Sequence, residues 1–185
     1  MPQAAERSRP STAWVVLALV AYGAVMISLT MLKAFFVIGL LWRPEAQRNR
    51  SLHLVPFAEF WQGSTVFGPV FDALGNIAFF VPFGVLLYIL CERLARPLLA
   101  VAAIGAAVSL TVEALQYAFA LGRTDVGDLL LNTLGALIGA AIARVCGPRL
   151  YPVWVGLALA LGAVFAVLVG LGERLGDPDA VVELH

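Results

Sequence analysis

Glu113, Gln116, Arg123, Asp125, Asp128 and Asn132 fall in one short window of an otherwise apolar chain, and Asn76 precedes them. Their chemistry is readable before any fold is assigned. A carboxyl such as Glu113 can act as a general acid or base once burial raises its pKa. Arg123 can pair with a phosphate or a carboxylate. Asp125 and Asp128 offer the oxygen ligands that Mg2+ and Ca2+ take, although two or three carboxylates are a sparse donor set. Asn76, Gln116 and Asn132 add amide donors and acceptors. The sequence holds no metalloprotease helix motif and no Gly-x-Ser-x-Gly elbow. His53 is the only histidine near the window, since His185 is the last residue. No cofactor is expected, and no metal beyond what Asp125 and Asp128 could hold.

Spacing groups these residues. Ser109, Glu113 and Gln116 are separated by four and three positions, which places them on one helical face. Asp125, Asp128, Asn132, Gly135 and Gly139 follow steps of three, four, three and four, a second stripe whose polar upper part can face Glu113 and Gln116. Its lower part, Gly135-x-x-x-Gly139, admits the backbone of another helix. Ordinary structural roles compete with chemistry here. Asp125 and Asp128 stand where a helix N-terminus favours a carboxylate, and Arg123 can anchor a helix at an interface.

The elements that position these groups are membrane spans. The 185 residues are 61% hydrophobic and 13% charged, with a mean hydropathy of +0.91, against about 25% charged in soluble domains. A water-soluble globule of this size has too little interior for such a surplus. Twelve basic and twelve acidic residues balance, so no basic excess suits nucleic acid. Cys91 and Cys146 are too few for a disulfide framework. The expected fold is an all-α polytopic membrane protein, five transmembrane helices in an up-down bundle, at 13–32, 73–91, 97–120, 126–146 and 153–171. The division expected is a cytoplasmic tail (1–12), a four-helix core (13–146) with a long first loop (33–72), a fifth helix (147–172) and a polar tail (173–185). Between Val153 and Leu171 the fifth span holds eleven Val, Leu or Phe residues and no ionisable group, which favours insertion by about 3–7 kcal/mol. The run at 34–42 is too short to span alone, and Glu59-Phe60-Trp61 reads as interfacial.

Six arginines (Arg7, Arg9, Arg93, Arg96, Arg144 and Arg149) border the segments on the N-terminal side of the membrane. On the other side, outside the long first loop, only Arg123 and Arg174 do. The positive-inside rule therefore puts the N-terminus in the cytoplasm of a bacterial inner membrane. Asp72, Asn76, Ser109, Glu113, Gln116, Arg123, Asp125, Asp128 and Asn132 then share the outer end. A centrally placed carboxylate costs roughly 2.5–3.5 kcal/mol on the insertion scale. Glu113 therefore needs a partner, a proton or water, and Arg123 is the nearest cation in sequence.

Four segments carry a family resemblance. They are Leu54-Val55-Pro56-Phe57, Gly75-Asn76-Ile77 through Pro82-Phe83-Gly84, Glu113-Ala114-Leu115-Gln116, and Gly122-Arg123-Thr124-Asp125-Val126-Gly127-Asp128 continuing through Asn132 to Gly139. In order and spacing they resemble the VanZ family of small bacterial membrane proteins, over roughly 13–144. The resemblance implies a cell-envelope protein and an association with tolerance of teicoplanin-type glycopeptides. Two positions depart from the family pattern. His53 stands where relatives usually carry Asn, and Gly127 where they often carry a polar residue.

Three mechanisms are compatible with the residues. In the first, the outward polar pocket binds a lipid headgroup, a lipid-linked cell-wall intermediate or a lipoglycopeptide, with Arg123 on a phosphate or carboxylate and Asn76, Gln116 and Asn132 hydrogen bonding. The second is a membrane-embedded enzyme on a lipid-linked or phospholipid substrate, with Glu113 and Asp128 as catalytic candidates. The third is a transporter, for which the one-ended polar cluster and the lack of an inverted repeat argue poorly. The partners expected are membrane lipids and such an envelope precursor or lipoglycopeptide, not nucleic acid. The oligomeric state stays open. The orientation predicts that a periplasm-active reporter fused after Arg50 or Arg123 is active and one fused after Arg96 or Arg149 is silent. The reverse pattern would move the polar end to the cytoplasm.

Overall fold

The computed structural model of the chain describes residues 9–31, 50–57, 67–120 and 122–170, and of residues 29, 31, 50–52, 122, 123 and 168–170 it describes the backbone alone. The run at 34–42, the segment at 59–61 and the tail at 173–185 lie outside the described residues. Among the described residues there are five α-helices: α1 (Thr12–Met31), α2 (Phe67–Cys91), α3 (Pro97–Phe119), α4 (Val126–Cys146) and α5 (Tyr151–Gly170). Four of them, α2 to α5, are long and apolar enough to cross a membrane, and α1 is apolar over Thr12–Ser28. The protein is an all-α polytopic membrane protein.

Local sequence accounts for the boundaries. Pro97 opens α3, where a missing N–H costs nothing. Asp125 caps α4, its side chain accepting from the Gly127 N–H at 2.7 Å. Gly147, at φ 72°, ends α4 before the short 3-10 turn Pro148–Leu150 leads into α5. α2 begins earlier than the apolar count suggests, because Phe67 and Phe71 stack with centroids 6.2 Å apart and prolong the helix.

Successive helices run up and down, so α2 and α4 are parallel. These two form the tightest pair. A Cβ at Gly84 would stand 2.1 Å from the Ala136 carbonyl oxygen, one at Gly135 2.4 Å from that of Ile77, and one at Gly139 2.0 Å from that of Val81. The Gly135-x-x-x-Gly139 stripe thus meets α2, and Gly84 completes the contact from the other side. Nearby, Tyr22 of α1 donates to the Phe79 carbonyl at 2.9 Å, beside the turn where Pro82 supplies no N–H. Phe80 and Phe83 are buried and meet edge to face, with centroids 5.7 Å apart. They are packing residues.

The two ends of the bundle are held differently. At one end Glu92 is gripped by Arg9, which also lies over the Tyr151 ring, and by the Tyr151 hydroxyl at 2.6 Å. This joins the start of α1, the end of α2 and the start of α5. At the other end is an element that composition does not announce. Strands β1 (Arg50–His53) and β2 (Gly122–Asp125) pair in parallel, with Arg50 opposite Gly122 and His53 opposite Asp125. Among the described residues β1 falls between α1 and α2, and β2 between α3 and α4.

The α2–α4 contact yields a sharp test. Gly84→Leu or Gly139→Leu should lower stability by about 3 kcal/mol, the upper end of overpacking, since backbone cannot give way as a side-chain tip can. Gly75→Ala, which meets nothing within 4 Å, should be neutral or stabilise by up to about 1 kcal/mol. Thermal unfolding in detergent measures both.

Candidate functional site

The parallel run of α2 and α4 brings their N-terminal ends side by side, and α3 delivers its C-terminal half to the same place. Three polar links result. Asn76 of α2 donates to Asp128 Oδ1 of α4 at 2.6 Å. Asn132 Nδ2, one turn further into α4, donates to the fully buried Ser109 hydroxyl of α3 at 2.9 Å. Glu113, one turn beyond Ser109, accepts from the Asp125 backbone N–H at 3.1 Å, while the Thr124 hydroxyl donates to the Glu113 carbonyl at 3.2 Å. Glu113, Asp125 and Asn132 are all buried. Hydrogen bonding explains how such groups survive in an apolar bundle, although Asn132 Oδ1 is left without a partner.

The described part of the first loop, residues 50–57, packs against this end. After β1 the chain turns through Leu54–Phe57, and Phe57 takes the left-handed φ of 61°, which is rare for a bulky residue. Its backbone N would lie 3.4 Å from a Cβ at Gly127, and Asp125 Oδ1 only 3.0 Å from it. A side chain at Gly127 would press on both the cap and the loop, which accounts for glycine at that position. The ladder also places His53 opposite Asp125.

Most of the residues expected from sequence therefore come together: Asn76, Glu113, Asp125, Asp128 and Asn132. Arg123 is placed by its backbone, paired with Ser51 in the ladder; its side chain lies outside the described residues. The expected pairing of Glu113 with Arg123 therefore lies outside the described residues, and the Asp125 amide is a partner of Glu113 that was not expected. Gln116 points elsewhere, donating to the Thr30 carbonyl at the end of α1 at 3.0 Å, where it serves an unpaired helix terminus. Ser109 and Thr124 join the network, and neither stood among the expected binding residues. The helical stripe from Ser109 was a usable signal; Thr124 had none. Among the described residues no three His, Cys, Asp or Glu side chains group so as to hold a metal ion.

The four sequence segments Leu54–Phe57, Gly75–Gly84, Glu113–Gln116 and Gly122–Asp128 thus meet at one end of the bundle. A model of the VanZ/LLP1 family matches residues 19–147. The chain belongs to the VanZ/LLP1 family. It is similar to Protein VanZ of Enterococcus faecium, 35% identical over 91 residues, which are 49% of this chain and 51% of that protein. It therefore spans about half the length of the curated relative it matches. No solved structure matches. The residues matched by the VanZ/LLP1 model hold α2, α3, β2, α4 and most of α1, and thus every polar link of this site.

Glu113 is the link most open to test. Glu113→Gln keeps an oxygen that can accept from the Asp125 amide and should unfold near the wild-type temperature. Glu113→Leu orphans that buried N–H and should cost about 1–3 kcal/mol. Equal loss in both variants would mean that the charge, not the hydrogen bond, holds α3 to α4.

Proposed function

We propose that this VanZ/LLP1 protein sits in the bacterial cytoplasmic membrane with its N-terminus inside, and that the polar end of the bundle is an outward-facing binding site. Its ligand is the head of an amphiphile: a lipid headgroup, a lipid-linked cell-wall intermediate or a lipoglycopeptide. Through that site the protein contributes to tolerance of teicoplanin-type antibiotics. The observation that carries the reading is the convergence of Asn76, Glu113, Asp125, Asp128 and Asn132, from three helices, under the turn at Leu54–Phe57. Polar side chains within membrane helices are costly and mark function more often than chance. A cluster at one end of apolar helices suits a molecule that is polar at one end only.

Binding is favoured over catalysis by how the carboxylates are used. Asp125 caps α4 and Glu113 holds the Asp125 amide. Neither can take part in a reaction without loosening the elements that position the other. A binding site has no such conflict, because its groups keep one geometry throughout.

In a susceptible Gram-positive host, the wild-type chain should raise the inhibitory concentration of teicoplanin. Asp128→Leu and Asn76→Leu should return it to the vector level at equal membrane abundance. A wild-type strain no more tolerant than the vector control would remove antibiotic tolerance from the reading. Loss of tolerance that follows only from lost abundance would assign both residues to folding.

A further inference from the structure

The end of the bundle away from the polar links carries arginines that the fold leaves unused. Arg93 and Arg96 stand on the turn from α2 to α3, Arg144 in the last turn of α4 and Arg149 in the 3-10 turn before α5. All four are exposed. The close approach of α2 and α4 sets the two turns at one level. A Cβ at Gly139 would meet Val81 and Val85; Cys91 ends α2 six residues beyond Val85, and Cys146 ends α4 seven beyond Gly139. Each turn is closed by a backbone hydrogen bond, from the Leu94 N–H to the Cys91 carbonyl at 2.9 Å and from the Leu150 N–H to the Gly147 carbonyl at 3.1 Å. The arginines therefore leave from fixed backbone.

The charge at this end can be counted. Among the described residues its one carboxylate is Glu92, which Arg9 and Tyr151 hold. Residues 1–8 add one glutamate and one arginine, which cancel. The other segments outside the description join the helices at the opposite end. Arg93, Arg96, Arg144 and Arg149 are left without a counter-charge. Folding accounts for two of them: Arg144 and Arg93 lie at the C-terminal ends of α4 and α2, where the helix dipole favours a cation. It does not account for the other two. Arg96 is the N-cap residue of α3 and makes no capping hydrogen bond, and Arg149 precedes α5. Neither helix has an acidic residue in its first turn, and a cation at the positive end of a helix opposes its dipole. The bias toward positive charge on one side of the membrane is met by any position in a turn, so it does not select these two.

Their surroundings select a partner. A guanidinium takes a phosphate through two parallel hydrogen bonds. The turns close apolar membrane-spanning helices, which puts them at the depth of lipid headgroups. Beside Arg93 and Arg144 stand Leu94 and Val145, 54% and 86% exposed. Exposed apolar side chains next to guanidinium groups match a molecule that brings hydrocarbon and phosphate together; a soluble anion would leave them in water. We propose that this end is a binding surface for anionic phospholipid, with Arg93, Arg96, Arg144 and Arg149 holding phosphates whose headgroups carry no compensating cation, of the phosphatidylglycerol kind. The surface is separate from the ligand site proposed above, and it holds for either orientation of the chain.

The test uses the full chain, purified and equilibrated with equal amounts of phosphatidylglycerol and phosphatidylcholine, with retained lipid counted by native mass spectrometry. A surface arginine is worth about a factor of five toward an anionic interface. Phosphatidylglycerol should therefore be retained at least about tenfold over phosphatidylcholine. Arg96→Gln combined with Arg149→Gln should lower that ratio at least about fivefold and leave the unfolding temperature in detergent unchanged or higher, since both cations stand at positive helix ends. If the double variant does not accumulate, each single variant supplies the same two readouts. A lower unfolding temperature with the lipid ratio intact would make these arginines structural and overturn the proposal. Added inorganic phosphate should fail to displace the lipid; displacement would make a soluble anion the occupant and overturn the lipid. Equal retention of the two lipids by the wild-type chain would also overturn it, and would leave the arginines to membrane orientation or to an acidic protein.

Discussion

The close approach of α2 and α4 is the constraint on which the rest depends. Inside a bilayer, helices gain little from burying apolar surface against each other, because lipid is as apolar as leucine. What holds them is the number of atoms brought within van der Waals range, and Gly84, Gly135 and Gly139 bring backbone against backbone. That contact fixes the relative rotation and depth of the two helices. Asn76 stands next to Ile77, which Gly135 touches, and it is this placement that lets Asn76 reach Asp128 at 2.6 Å. A polar link of that length cannot form between helices that slide or roll.

Parallel packing has an electrostatic consequence. Two helix N-termini side by side set partial positive charges against each other. Asp125 and Asp128, in the cap and first turn of α4, offset this at the place where it arises. The carboxylates at this end are therefore partly a response to the topology. The same topology brings β1 and β2 together, since each precedes a helix running in the same direction. The ladder thus ties together two segments that lead toward parallel helices.

Much of this was legible in the sequence, for identifiable reasons. The span at 126–146 coincides with α4 because Asp125 and Gly147 are strong end signals. The stripe from Asp125 to Gly139 and the face carrying Ser109 and Glu113 were readable because a period of 3.6 survives in an apolar background. The ladder was not readable. β1 is four residues long and its partner lies some seventy residues away, so no local pattern marks it. The covering turn was hidden for the same reason, although Leu54-Val55-Pro56-Phe57 marked the place. The Glu113 carboxylate accepts from the Asp125 amide, a backbone partner that a reading of charges does not announce. Gln116 shared the face of Glu113 but stands at the end of α3, where the last turn of α1 passes and its Thr30 carbonyl needs a donor.

The site divides into groups that hold the fold and groups that do not need to. Asp125 and Glu113 each satisfy a backbone N–H, so their replacement by apolar residues leaves a donor unpaired and costs stability. Asn132 is different. Its nitrogen bonds to a hydroxyl that could as well turn to its own helix, and its oxygen bonds to nothing. Leucine in its place would suit a bundle whose only task is to stay folded. A residue that works against stability in a well-packed interior is best explained by use. In the proposed reading, the sides of this site are set by folding and its floor by what it binds.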